Sequence, residues 1–301
     1  MSARDEIMDG KVVLVTGGTG GIGKVTAEGL ANLGARVVVG RDRSKGEIAT
    51  AEIRARTGNE AIELMVADLS SQAEIHRLAR EFEAHHDRLD ALVNNAGAIY
   101  ARRWETEEGI EGTLAVVHLA PVLLTNLLLP MLQRSAPSRI VNVSSWAHRR
   151  AKLDLDDLQS REHYSPSAAY SRAKLCNVLW TYELASRLEG TGVTVNLADP
   201  GGASTEMTRS EAMPLLFRTI NRLGRRFMTT EKAARSSIYL ASSPEVEAVS
   251  GGYFEPPNKR VKSSKASYDK TAQERVWEIS AELTKPDRSL QVHEVQKRDA
   301  N

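Results

Sequence analysis

Tyr170-Ser171-Arg172-Ala173-Lys174 places a phenol and an amine at positions i and i+4. On a helix those two side chains share a face, one turn apart. An unperturbed tyrosine titrates near pH ~10, and a neighbouring ammonium favours the phenolate and lowers that value. A tyrosine tuned this way can give a proton to a carbonyl oxygen or take one from an alcohol. Of the seven tyrosines, only Tyr170 has a lysine four positions on. The spacing also arises by chance on helix surfaces, so the pair carries weight only in company. Ser144-Ser145 follows the apolar run 139–143. A hydroxyl there could hydrogen-bond a substrate oxygen, and it could equally form a turn or cap a helix.

A second constellation suits a phosphate. Thr16-Gly17-Gly18-Thr19-Gly20-Gly21-Ile22-Gly23 follows the apolar run 12–15. Glycines allow a tight turn and close approach of a pyrophosphate, and the N–H groups opening the next helix then face the anion. Gly17, Thr19, Gly20, Gly21, Ile22 and Gly23 are the candidate contacts. Gly18, Gly20 and Gly23 also satisfy G-x-G-x-x-G, so spacing alone does not choose between dinucleotide-binding subtypes, and a glycine turn without ligand is the plain alternative. The next run ends Val39-Gly40-Arg41-Asp42. An acid at this strand end binds the ribose of NAD, and an arginine accommodates the extra phosphate of NADP. Gly40 clears the way, Arg41 can clamp a phosphate and Asp42 comes one residue late, so NADP(H) is expected. The competing reading leaves Arg41 in solvent and gives Asp42 the ribose. Three more strand ends carry cofactor candidates: Asp68-Leu69 beside an adenine, Asn95-Ala96-Gly97 after Asn94, and Pro200-Gly201 opening a loop over a nicotinamide.

The elements that must position these residues alternate along the chain. Strand-like runs at 12–15, 37–39, 61–66, 89–93, 139–143, 193–197 and 253–254 are separated by helical patterns at 25–33, 48–56, 75–85, 110–132, 168–188 and 231–242. The pattern predicts an α/β fold, a single Rossmann-type doubly wound parallel sheet with helices on both faces. The helix over 110–132 is expected to be interrupted by Pro121 and closed near Pro130. Leu216, Ile220, Leu223 and Phe227 share one helical face, with Arg218, Arg222 and Arg225 opposite. That predicts a short helical lid over about 207–228 within a catalytic domain of residues 1–256. Residues 257–301 are expected to pack on that domain as an extension with a mobile end. The lid arginines read first as a solvated face and second as a dock for an acidic carrier protein or an anionic membrane surface.

Composition narrows the classes. The 301 residues hold 40 Lys plus Arg against 39 Asp plus Glu, a balance of +1, which argues against a nucleic-acid binder. The one cysteine, Cys176, rules out an internal disulfide and a Cys-rich zinc site, and no metal is expected. No run of about 18 apolar residues suggests a transmembrane anchor, and residues 1–6 show no apolar signal region. A soluble cytoplasmic protein is expected.

In order along the chain, the glycine turn, Asn94-Asn95-Ala96-Gly97, Ser145, Tyr170-x-x-x-Lys174 and Pro200-Gly201 resemble the short-chain dehydrogenase/reductase family over residues 11–254. Arg41-Asp42, the run 123–129, Val141-Asn142-Val143-Ser144-Ser145 and the tail 272–283 with Trp277 resemble its retinol-dehydrogenase-like branch. The resemblance implies that Ser145 orients a carbonyl and Tyr170 is the general acid. It implies that Lys174 lowers the tyrosine pKa and binds the nicotinamide ribose, and that Thr205 reaches the carboxamide. It also implies a segment closing over the substrate, and homodimers through the long helices. The expected activity is NADPH-dependent reduction of a bulky apolar ketone or aldehyde, or the reverse oxidation of an alcohol.

Two positions depart from the family. Its relay asparagine is replaced by Val117 in Val117-His118-Leu119-Ala120, and valine cannot hydrogen-bond a water. His118 points about 100° away on a helix, so a packed or capping role is expected for it. Asp199 stands where the branch often has histidine or asparagine. It reads either as an added carboxylate near the active site or, more plainly, as a loop residue bonded to nearby amides. These departures keep open a reductase-fold protein catalysing a non-redox dehydration, isomerisation, cyclisation or epimerisation, and a cofactor-holding regulatory protein.

Overall fold

A computed structural model describes residues 7–36, 38–40, 42–201 and 228–285. Short apolar runs form β1 (Val13–Val15), β2 (Val38–Gly40), β3 (Leu64–Val66), β4 (Ala91–Asn94), β5 (Ser138–Val143), β6 (Val193–Ala198) and β7 (Tyr253–Glu255). Between them lie α1 (Gly21–Asn32), α2 (Arg43–Thr57), α3 (Gln72–His85), α4 (Gly112–Arg134), α5 (Pro166–Arg187) and α6 (Thr230–Ser242). The strands β1-β4-β5-β6-β7 pair in that order, all parallel, and β2-β3 form a parallel pair. A bridge from Val12 to Arg36, with Val13 N–H donating to the Arg36 carbonyl at 3.1 Å, ties the β2-β3 pair to the free edge of β1. The strand order therefore reverses between β1 and β4, which opens a crevice at their carboxyl ends.

Both faces of the sheet are covered, which is why the strands read as largely apolar runs, broken by polar residues only in β4, β5, β6 and β7. Side chains alternate across a strand. Leu14, Leu92, Ile140 and Val195 enter one core with Phe82 of α3, Leu124 of α4 and Leu179 of α5. Val13, Val15, Val93 and Val141 enter the other with Leu30 of α1 and Leu240 of α6.

Two expectations about α4 are corrected. The helix passes through both prolines and ends at Arg134, with a wide π turn over Ala115–Leu119. Pro121 has no N–H for the Val117 carbonyl, four residues back. The side chain of Asn177 on α5 supplies one instead, Nδ2 to O at 2.8 Å. Pro130 and Asn126, whose carbonyl it leaves free, lie on the exposed side, where water serves. Helix α4 is also long and apolar enough to cross a membrane, contrary to expectation, but 78% of its most apolar stretch is buried inside the protein, as a core helix requires.

The start of α2 at Arg43, five residues before the expected one, follows from Asp42, whose carboxylate caps it by accepting from Lys45 N–H at 3.1 Å. The extension after β7 forms a further strand, β8 (Lys259–Val261), antiparallel to β7 and not expected from sequence. It ends in α7 (Lys270–Leu283), which lies on α5. The rings of Trp180 and Trp277 stack there at 5.8 Å. Most of the expected lid, 207–227, and the tail 286–301 lie outside the described residues.

His118 is fully packed, as its direction on the helix suggested. Its Nδ1 lies 2.9 Å from Asn177 Oδ1 and its Nε2 2.7 Å from Ser280 Oγ on α7. Burial lowers its pKa from 6.5 to about 4. Its contribution to stability is thus intact above pH 6.5, where both states are neutral. It is lost as pH falls toward 4, because only the unfolded chain takes up the proton. Unfolding in urea at pH 7 and again near the lower limit should show roughly 3 kcal/mol of acid destabilisation from this residue. His118→Asn should lack that component.

Candidate active site

The carboxyl ends of the strands meet around one cleft. The glycine turn after β1 lines it with Gly17, Thr19, Gly20, Gly21, Ile22 and Gly23. Gly17 and Gly21 need left-handed backbone, with φ of 67° and 52°. Gly23 must lack a side chain, because a Cβ there would lie 2.3 Å from the Gly17 carbonyl oxygen. Gly20 differs: a Cβ on it would meet nothing within 4 Å. Gly20 also sits at the N-cap of α1 with no side chain capping the helix, so the first-turn N–H groups are left for an anion. A pyrophosphate fits this cradle.

The other strand ends complete the cleft. Asp68 and Leu69 follow β3, and Asn95, Ala96 and Gly97 follow β4. Asn95 does more than leave room. Its Nδ2 donates to the Thr16 carbonyl at 2.9 Å, and the N–H groups of Asn95 and Ala96 donate to Thr16 Oγ1 at 2.9 and 3.0 Å. Gly40 at the end of β2 lets Thr19 approach, since a Cβ there would be 2.4 Å from Thr19 Cγ2. Pro200 lines the cleft after β6, and Gly201 beside it donates its N–H to Asp199. Arg41 and Thr205 lie outside the described residues. Ser144, weighed with Ser145 in the sequence, lines the cleft, and sequence reasoning missed the wall residues Ala67, Ala98, Val116 and Val143. Their only signal is that they are small or apolar, with Ala67 and Val143 at strand ends, Ala98 in the loop after β4 and Val116 in the π turn of α4.

Tyr170 and Lys174, one turn apart on α5, both line the cleft. Ser145 ends β5's loop at the N-cap of a 3-10 turn, Trp146–Arg150, where its hydroxyl accepts from Ala147 N–H at 3.2 Å and faces the Tyr170 phenol. His148, unnoticed in the sequence, fixes this serine. Its Nε2 accepts from Ser264 N–H at 3.0 Å, so the ring proton is on Nδ1 and is donated to the Ser145 carbonyl at 2.7 Å.

The electrostatics correct one expectation. Tyr170 is pushed up to about 12, by burial first, with the Ser145 hydroxyl pulling it down and the Asp199 charge pushing it up. Lys174 does not set this value. Its Nζ donates to the Val143 carbonyl at 2.6 Å and lies 5.8 Å from the centre of the Tyr170 ring, and burial lowers its own pKa to about 8. The phenol is therefore protonated at neutral pH. Val117 is fully buried in the core beneath this site, while its neighbour Val116 reaches the cleft.

The sequence model of short chain dehydrogenases matches residues 11–214. The chain belongs to the short-chain dehydrogenase family. Human retinol dehydrogenase 14 is 43% identical over 290 residues, covering 91% of this chain and 86% of that relative, which places the chain in the retinol-dehydrogenase-like branch. An uncharacterised protein from Mycobacterium paratuberculosis superimposes with a TM-score of 0.74 at 31% identity, over 93% of this chain and 95% of that one. RhlG of Pseudomonas aeruginosa, solved as an NADP active-site complex, does so at 0.68 and 28% identity, over 84% and 97%.

Two glycine substitutions separate packing from binding. Gly23→Ala forces a methyl group against backbone and should destabilise the protein by about 1–3 kcal/mol in urea unfolding. Gly20→Ala should stay within about 1 kcal/mol of the parent yet weaken nicotinamide dinucleotide binding by fluorescence titration, because its methyl group enters the cradle itself.

Proposed function

We propose that the protein is an NADP(H)-dependent oxidoreductase that interconverts a bulky apolar ketone or aldehyde and its alcohol. The observation that carries this reading is the Tyr170 phenol, facing Ser145 and one turn from Lys174, on the wall of a cleft whose far end is an uncapped, glycine-lined helix start. When bound, the dinucleotide supplies the hydride acceptor or donor at the substrate carbon. The chain's own residues handle the oxygen. Ser145 orients it, and Tyr170, held as a phenol, gives its proton as negative charge develops there. Lys174, its Nζ on the Val143 carbonyl one turn from Tyr170, would bind the ribose.

The cofactor choice rests on the end of β2. No acid stands at Gly40, Asp42 is engaged in capping α2, and Arg41 follows the strand directly. The NADP of the RhlG complex agrees with this choice. The apolar substrate class rests on retinol dehydrogenase as a relative, on Val116 and Val143 in the cleft wall, and on exposed Trp146 immediately after Ser145. Retinal is one member of that class.

Incubation with NADPH and a panel of apolar aldehydes and ketones, following loss of the reduced cofactor, tests the reading. Tyr170→Phe should lower turnover by about 10²–10⁴-fold with NADPH binding nearly unchanged; an undiminished rate would exclude Tyr170 as proton donor. Arg41→Ala should weaken NADPH binding about tenfold and leave NADH binding as it was, which corresponds to loss of one charge-assisted phosphate contact.

A further inference from the structure

Asp199 follows the last residue of β6 and is 1% exposed. Both of its carboxylate oxygens have partners: Oδ1 accepts from Gly201 N–H at 2.8 Å, and Oδ2 accepts from the Tyr253 hydroxyl on β7. These are neutral donors, so the charge itself is not answered by contact. Across β5, Lys174 is almost equally buried, at 3% exposure, with its Nζ on the Val143 carbonyl. Val143 lies opposite Ala198 in the β5–β6 register, one residue before Asp199. A buried carboxylate and a buried ammonium thus flank the same two strand ends. Each is costly to bury alone.

We propose that Asp199 is the counter-ion of Lys174, a positioning residue that keeps the amine charged in its buried place and so fixes the pH range over which Lys174 and Tyr170 act together. The second half of this statement rests on the proposed oxidoreductase reading; the first does not. The electrostatics agree in sign. Asp199 favours the ammonium of Lys174 against the burial that lowers it, and it disfavours the phenolate of Tyr170. Lys174 in turn favours the carboxylate of Asp199, which burial raises.

Among the described residues, three other groups act on or beside Asp199. Tyr253 donates to it and is held strongly in its phenol form. His148, next to Tyr253, stays below its ordinary pKa through burial. Arg149, on the turn after β5, also favours the carboxylate, but its guanidinium is partly exposed. It bonds the Lys262 carbonyl at 2.6 Å and faces Glu255 at 3.7 Å. Lys174 is the buried cation among these groups.

The test is an NMR titration of the cofactor-free full chain with isotope-labelled lysine side chains, the Lys174 signal being assigned by its loss in Lys174→Arg. The parent midpoint is expected near pH 8. Asp199→Asn should lower it by about one pH unit, and Asp199→Glu, which keeps the charge, should hold it near the parent value. Asparagine has the shape of aspartate and keeps one acceptor oxygen for Gly201 or Tyr253, so this variant should fold, and Asp199→Ser gives the same reading if the asparagine variant does not. An unchanged midpoint in both neutral variants, or an equal fall in Asp199→Glu, overturns the proposal. In the active enzyme, loss of the charge should also move the alkaline limb of carbonyl reduction to lower pH. Absence of any reduction would defeat the functional reading and leave the titration to decide this one.

Discussion

The bonds between Thr16 and Asn95 hold together two loops that leave the sheet for opposite faces. The chain after β1 runs into α1, which packs with α6. The chain after β4 leads to α4 and the core on the other side. A parallel sheet opens a crevice wherever neighbouring strands diverge in this way, but a crevice has no fixed width of its own. Three hydrogen bonds from Asn95 and Ala96 to Thr16 set it. Gly17 and Gly23 are then required by sterics, because Asn95 occupies the volume that their side chains would need.

The floor of the cleft is fixed by a line of buried polar groups running away from it. Asn94 donates to Asn142, Asn142 to Thr181, and Thr181 to the Asn177 carbonyl. Asn177 then holds the Val117 carbonyl and His118, and His118 reaches Ser280 on α7. Every donor along this line is paired, while the Asn94 Oδ1 acceptor has no partner among the described residues; such a network specifies one arrangement, because any slip leaves donors unpaired at a cost of about 1–3 kcal/mol each. The same line explains why the C-terminal helix belongs to the structure of the site. It anchors the far end of the chain of bonds whose near end lies beneath α5, the helix that presents Tyr170 and Lys174.

The sheet was legible because burial on both faces writes each strand as an apolar run, and all seven parallel strands fall at or next to such runs. The glycine turn and the Tyr170–Lys174 pair were legible because they use residue types that few other tasks require. What escaped was what depends on partners distant in sequence. The course of α4 through Pro121 depends on Asn177, sixty residues away. β8 depends on the exposed edge of β7. The role of His148 depends on the backbone of Ser264. Asp42 was weighed for a ribose, and its local geometry also makes it a helix cap, a competition that residue type alone does not decide.

The two departures from the family exchange their weight once burial is known. Val117 looked like the chemical anomaly, yet its side chain is sealed in the core, and the polar demand there is the backbone carbonyl that Pro121 leaves unserved. Asp199 looked like a loop residue satisfying local amides. It does satisfy the Gly201 amide, but a carboxylate that only capped a loop could do so in solvent. Buried at a strand end, it cannot shed its charge into water, and its field is felt by the nearest groups able to change theirs. In the cleft those are Lys174 and Tyr170, while Tyr253 at its side stays a phenol, so an aspartate at this position ties the protonation of the cleft to the packing of β6 against β7.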